Sequence, residues 1–231
     1  MLKLKKLLLI SLCLLCASCA TETTTTQPNY SFDEDLSQGV VYPGSGEELF
    51  KKGNTYADNH DYQTAAKYYQ QAARKGNEKA QYALGYLYRK GMGVPRNYSI
   101  AASWFSCAAN QGDTNAEYNL GMRYFIGLGA PQDYRQALMW FNKAANHGNQ
   151  YAQNELGYIY AAGKGVRQSY TTSLQWYQLA ADQGLASAQY NLGLMYANGL
   201  GTTVDKEAAR KYFKMAVAKK FAPAYDALEQ V

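Results

Sequence analysis

One twelve-residue pattern occurs four times in this chain at a constant interval. "YALGYLYRKGMG" (82–93), "YNLGMRYFIGLG" (118–129), "NELGYIYAAGKG" (154–165) and "YNLGLMYANGLG" (190–201) align without gaps, so that Gly85, Gly121, Gly157 and Gly193 are spaced by 36, as are Tyr88, Tyr124, Tyr160 and Tyr196. No other feature restricts the fold as much. A helix-forming unit of this length cannot bury its apolar face alone and must stack on copies of itself.

Each unit reads as two helices. In the first, Ala80, Leu84, Tyr88 and their copies recur at spacing four, a stripe on one helical face. A "GxG" pair then ends the helix, because glycine accepts the positive φ of a helix terminus. The second helix carries Trp104, Trp140, Trp176 and Tyr212 in one column and Phe105, Phe141, Tyr177 and Phe213 in the next, with Ala108, Ala144, Ala180 and Ala216 three residues on. The glycine inside the first helix costs about 1 kcal/mol against alanine. Its position beside Leu84 predicts a seam where the two backbones approach closely and the rings close around it.

These columns resemble the Sel-one-like repeats, relatives of the tetratricopeptide repeat, with A-x-x-x-L-G-x-x-Y-x-x-G-x-G-V followed by D-x-x-x-A-x-x-W-[YF]-x-x-A-A-x-x-G in phase over residues 80–219. Departures are local: Ser169 and Ser173 stand where the second unit has Asp133 and Ala137, and Asn97 replaces the aspartate in the first. The resemblance implies an all-α fold, a right-handed α-solenoid of antiparallel helix pairs. The organisation expected is a leader (1–18), a lipidated N-terminus and linker (19–46), a tetratricopeptide-like hybrid repeat (47–79), repeats at 80–115, 116–151, 152–187 and 188–222, and a capping helix (223–231).

The N-terminus reads as an address. "MLKLKK" is cationic and "LLLISLCLLCA" is an apolar run of leader length, short for a membrane span. "CASC" resembles the bacterial lipobox, which makes Cys19 the expected lipid attachment site, although Cys16 stands where leucine is usual. Ordinary cleavage after Ala20 is the competing reading. By family analogy, Ala20 after the modified cysteine fits outer-membrane sorting; the alternative is a soluble periplasmic or secreted chain. Residues 20–45, threonine-rich and broken by Pro28 and Pro43, read as a tether with a reach of roughly 30 Å.

Charge gives no nucleic-acid footprint. Lys3, Lys5 and Lys6 belong to the leader, and without them the remaining Lys and Arg exceed the 18 Asp+Glu by two. No catalytic residue, metal ligand set or cofactor is expected. His60 and His147 fall at different repeat positions, and Cys107 reads as a small buried side chain. "GKGV" (163–166) fails the phosphate-loop spacing and is a repeat turn like "GMGV" and "GLGA".

What remains is surface. By analogy with tetratricopeptide arrays, first helices line the concave side, which puts Tyr82, Tyr86, Tyr118, Asn119, Met122, Asn154, Tyr158, Tyr190, Asn191 and Leu194 there as partner-binding positions. Rings that give area at low entropy cost, beside amides that bond backbone, suit a protein or peptide partner. The competing reading is that several of these merely pack between repeats. The function expected is a membrane-tethered, exported scaffold, in envelope assembly, secretion or host interaction. The alternative from family precedent, a peptidoglycan-active or β-lactam-binding hydrolase, comes from relatives with cysteine pairs in each repeat, which this chain lacks.

Overall fold

The computed structural model describes residues 39–231. Among them the regular elements are helices: α1 (Gly46–Asp58), α2 (Tyr62–Arg74), α3 (Glu78–Lys90), α4 (Tyr98–Gln111), α5 (Thr114–Ile126), α6 (Tyr134–Asn146), α7 (Gln150–Ala162), α8 (Tyr170–Asp182), α9 (Ala186–Asn198), α10 (Lys206–Ala218) and α11 (Pro223–Glu229). The leader, Cys19 and the linker up to residue 38 lie outside the described residues. Two compact units divide the chain within α5: one runs to Leu120 and takes in Leu128–Ala130, and the other holds Gly121–Gly127 and Pro131–Val231. In the first, α1 packs on α2, α2 on α3 and α3 on α4; in the second, each helix from α6 to α11 packs on the next. This is an α-solenoid of helix pairs, all-α as the repeat predicts.

The helices start where the sequence supplies a short polar acceptor. Asn97, Asp133, Ser169 and Asp205 cap α4, α6, α8 and α10, each side chain accepting backbone N–H groups of the first turn. Ser169 and Asn97 depart from the aspartate of the pattern but keep its chemistry. The backbone N–H of each cap also donates 2.9 Å to a carbonyl in the preceding helix, that of Tyr88, Tyr124, Tyr160 or Tyr196. This bond fixes how the turn folds back, and the aromatic columns are set opposite one another; Tyr196 and Tyr212 stack at 5.7 Å.

The interior glycines seat rings. A Cβ on Gly193 would lie 2.6 Å from Cε1 of Phe213, and one on Gly121 only 2.5 Å from Cδ1 of Phe141. The expected seam was one of close backbones. What fills the space is mainly the ring of the second helix, lying over the bare Cα, though at Gly85 the Ala101 carbonyl oxygen also comes within 3.1 Å of a Cβ position. Phe141 and Phe213 are fully buried there, and burying a ring outweighs the glycine's helix penalty.

The "GxG" glycines divide the work that the sequence reading gave to both. Gly163 is the left-handed C-cap of α7. Gly165, at φ +70°, faces the start of α6 in the preceding repeat, where a Cβ would be 2.6 Å from that of Tyr134. One glycine ends the helix; the other lets repeats touch.

A buried amide column adds a second link between repeats. Gln81, Gln153 and Gln189 donate from Nε2 to the carbonyls of Ala73, Ala145 and Ala181, at 3.2, 3.2 and 3.3 Å, near the end of the previous second helix. Gln111 and Gln183 in turn donate 2.7 Å to Oε1 of Gln81 and Gln153. The same column carries a fully buried carboxylate at Glu117. At the C-terminal end α11, with Pro223 at its first position and Ala224 buried, packs on α10.

The first repeat receives the approaching chain in a grip of its own. Gln71 on α2 donates to the Val40 carbonyl and accepts 2.7 Å from the Tyr42 N–H. The Tyr42 ring stacks on Tyr68 at 4.4 Å, and Tyr68 on Tyr56 at 5.3 Å.

Candidate functional site

The predicted binding positions of the first unit fall into two kinds. Tyr82 is a half-buried ring 5.7 Å from Phe105, and burial pushes its phenol pKa up despite a hydrogen bond with Asn119. Tyr86 lies half-exposed beneath its own helix's cations, Arg89 at 5.2 Å and Lys90 at 5.9 Å from the ring centre. Tyr118 and Asn119 are half-buried on α5, the Asn119 amide donating 2.7 Å to the Asn115 carbonyl.

In the second unit Asn191 donates 3.3 Å to Asn154 Oδ1, so these two predicted residues meet. Tyr190 packs between Phe213 at 5.8 Å and Phe221 at 5.5 Å. Tyr82 and Tyr190 therefore spend much of their surface inside their own repeats. Met122 and Leu194 are half-buried. Tyr158 stays 40% exposed, and Tyr151 on the same helix 49%. Glu155, one helical turn before Tyr158, is a half-buried carboxylate whose pKa burial raises, opposed by a hydrogen bond with Asn154.

A cluster around Tyr158 escaped the sequence reading. Lys164, at the tip of the Gly163–Gly165 turn, holds its Nζ 5.0 Å from the Tyr158 ring centre, 5.4 Å from Phe125 and 5.5 Å from Tyr134. Contacts with the Tyr158 and Tyr134 hydroxyls push the ammonium pKa up. The available signal was a break in the columns: Lys164 stands where the other turns carry Met92, Leu128 and Leu200.

The Sel1 repeat model matches five successive segments, residues 46–77, 78–113, 114–149, 150–185 and 186–221. The chain belongs to the Sel1 repeat family. It is similar to a Sel1 repeat protein from Oxalobacter formigenes (30% identity over 80% of this chain and 75% of that one, TM-score 0.75). It is also similar to c5321, a protective antigen of uropathogenic Escherichia coli strains displaying an SLR fold (31% identity over 95% of this chain, TM-score 0.76), of which it spans 47%. No curated protein matches it.

As a Sel1 repeat chain it is a protein-interaction repeat scaffold. Its histidines and its described cysteine fall at separate places in the Sel1 units. His60 sits in the α1–α2 turn with a ring nitrogen 3.1 Å from the Tyr62 hydroxyl, His147 ends α6, and Cys107 is buried in α4. Among the described residues, no three His, Cys, Asp or Glu side chains could hold a metal ion together.

Proposed function

We propose that this chain is an exported scaffold, held at the outer membrane by a lipid on Cys19, that binds a protein or peptide partner on the first helices of its Sel1 repeats. The observation that carries the binding reading is the residue set left accessible on those helices: in the second unit Tyr158 and Tyr151 are large and exposed and Leu194 half-exposed, with the amides of Asn154 and Asn191 on first helices of the same unit, and in the first unit Tyr86 is half-exposed and Asn119 half-buried. Aromatic area beside adaptable amides is the composition of a polypeptide-binding surface. The leader and "CASC" motif support export and anchoring, and the similar c5321 is a protective antigen.

Crosslinking in cells, followed by recovery of the chain, tests the surface. Tyr86→Ala, Asn119→Ala and Leu194→Ala together leave the packed Tyr82 and Tyr190 in place. Partner recovery should drop at least tenfold in this variant while its helical circular dichroism is kept; undiminished recovery would overturn the reading. For the anchor, mass spectrometry should find a mature N-terminus at acylated Cys19, and an unmodified one at Thr21 refutes it.

A further inference from the structure

Two columns of the repeat diverge together at one place, beside a tyrosine shared only with the first repeat's Tyr86. Phe125 stands where the other units have Arg89, Ala161 and Ala197; Tyr158 where two of them have Met122 and Leu194; Lys164 where all have Met or Leu. Phe125 and Tyr134 meet edge-on at 5.7 Å and 61°, and Phe125 and Tyr158 at 6.0 Å and 82°, so three rings border one open corner. All of these residues belong to the second unit. The scaffold does not need such a corner, since the next turn closes with Leu200 packed on an apolar cluster.

The chemistry of the corner selects a cation. A ring face is the negative pole of its quadrupole and attracts an ammonium within about 6 Å of the centroid, which all three distances to Lys164 satisfy.

We propose that Phe125, Tyr134 and Tyr158 form a recognition cage for a lysine ammonium borne by a partner polypeptide, and that Lys164 is a resident stand-in which the partner's lysine displaces. This rests on the binding surface proposed above and names the chemistry its partner brings. Lys164 is suited to yield: no carboxylate forms an ion pair with it among the described residues, and glycines flank it on both sides. As a tethered competitor it lowers the apparent affinity by the fraction of time it fills the cage.

The probe is the capped peptide acetyl-Ala-Lys-Ala-amide, titrated into the full chain and followed by proton NMR, where ring currents move the lysine ε-methylene upfield. Lys164→Ala should bind it about tenfold more tightly than the unaltered chain and show the shift. Adding Tyr158→Leu, which installs the residue that the fourth repeat carries at an exposed position, should abolish the shift with the fold retained. A peptide with norleucine for lysine should bind none of the chains. Equal binding by Lys164→Ala with and without Tyr158→Leu overturns the proposal, as does the lack of any ε-methylene shift in Lys164→Ala. In the crosslinking assay, a partner lost from the Tyr86/Asn119/Leu194 variant but kept by Lys164→Ala/Tyr158→Leu sinks the cage and spares the scaffold reading; a partner kept by both sinks the two together.

Discussion

The turns at Gly163–Gly165 and Gly199–Gly201 share a backbone and differ in what they hold. Their glycines have φ of 68° and 70° in one and 65° and 72° in the other, and the middle residue's N–H donates to Ile159 at 3.1 Å or Met195 at 2.9 Å. Yet Leu200 packs against an apolar cluster including Tyr177, Leu192 and Met195, whereas Lys164 points its charge into three rings. The positions that recur in every unit fix the path of the chain. Those that vary are left to choose the chemistry.

The comparison breaks first if the recurrent positions do not hold the fold. Gly193→Leu forces a side chain into the space of Phe213 and should cost about 3 kcal/mol, against a change within about 0.5 kcal/mol for Gln175→Leu on the exposed side of α8. Urea unfolding read by circular dichroism measures both, and equal midpoints would refute the assignment. Gln153→Leu removes both hydrogen bonds of the amide that joins Ala145 to Gln183, though the Ala145 carbonyl keeps the Gly148 N–H at 3.0 Å, and the expected loss is about 1.5 kcal/mol in the same assay. A loss as small as that of Gln175→Leu would mean the amide column is incidental. The smallest effect is the sharpest contrast: Leu200→Lys should lose about 1 kcal/mol of apolar burial, while Lys164→Leu should stay within about 0.5 kcal/mol of the unaltered chain. Similar losses for the two exchanges would place both turns in the same class.

Much of this architecture was legible because it is written locally and repeated. Gly193, Asp133 and the Phe105 column each announce a helix interior, a cap or a buried face through spacing alone. The Gln81 column was equally periodic, but its meaning depends on partners 30 residues away and on the preceding repeat, which no single helix pattern displays. In the sequence, positive φ at a helix end accounts fully for Gly165; its contact with Tyr134 exists only once repeats stack. Of the predicted binding residues, Tyr82 and Tyr190 carry the same residue type as one another and turn out packed on Phe105 and Phe213, while Tyr158 is exposed. Sequence distance could not separate them, since the deciding factor is which neighbouring ring covers each. The aromatic corner around Lys164 was missed for a related reason: its members come from three different segments, and each deviation from pattern looks minor alone.

The grip of Gln71 on Val40 and Tyr42 makes the first repeat a mechanical fuse. Tension entering from the N-terminal side meets the two hydrogen bonds of Gln71, a hydrogen bond from Lys75 to the Gly44 carbonyl and one ring stack before it meets a helix. These give way first, paying out residues 39–44 as about 20 Å of slack while the coil behind them stays wound.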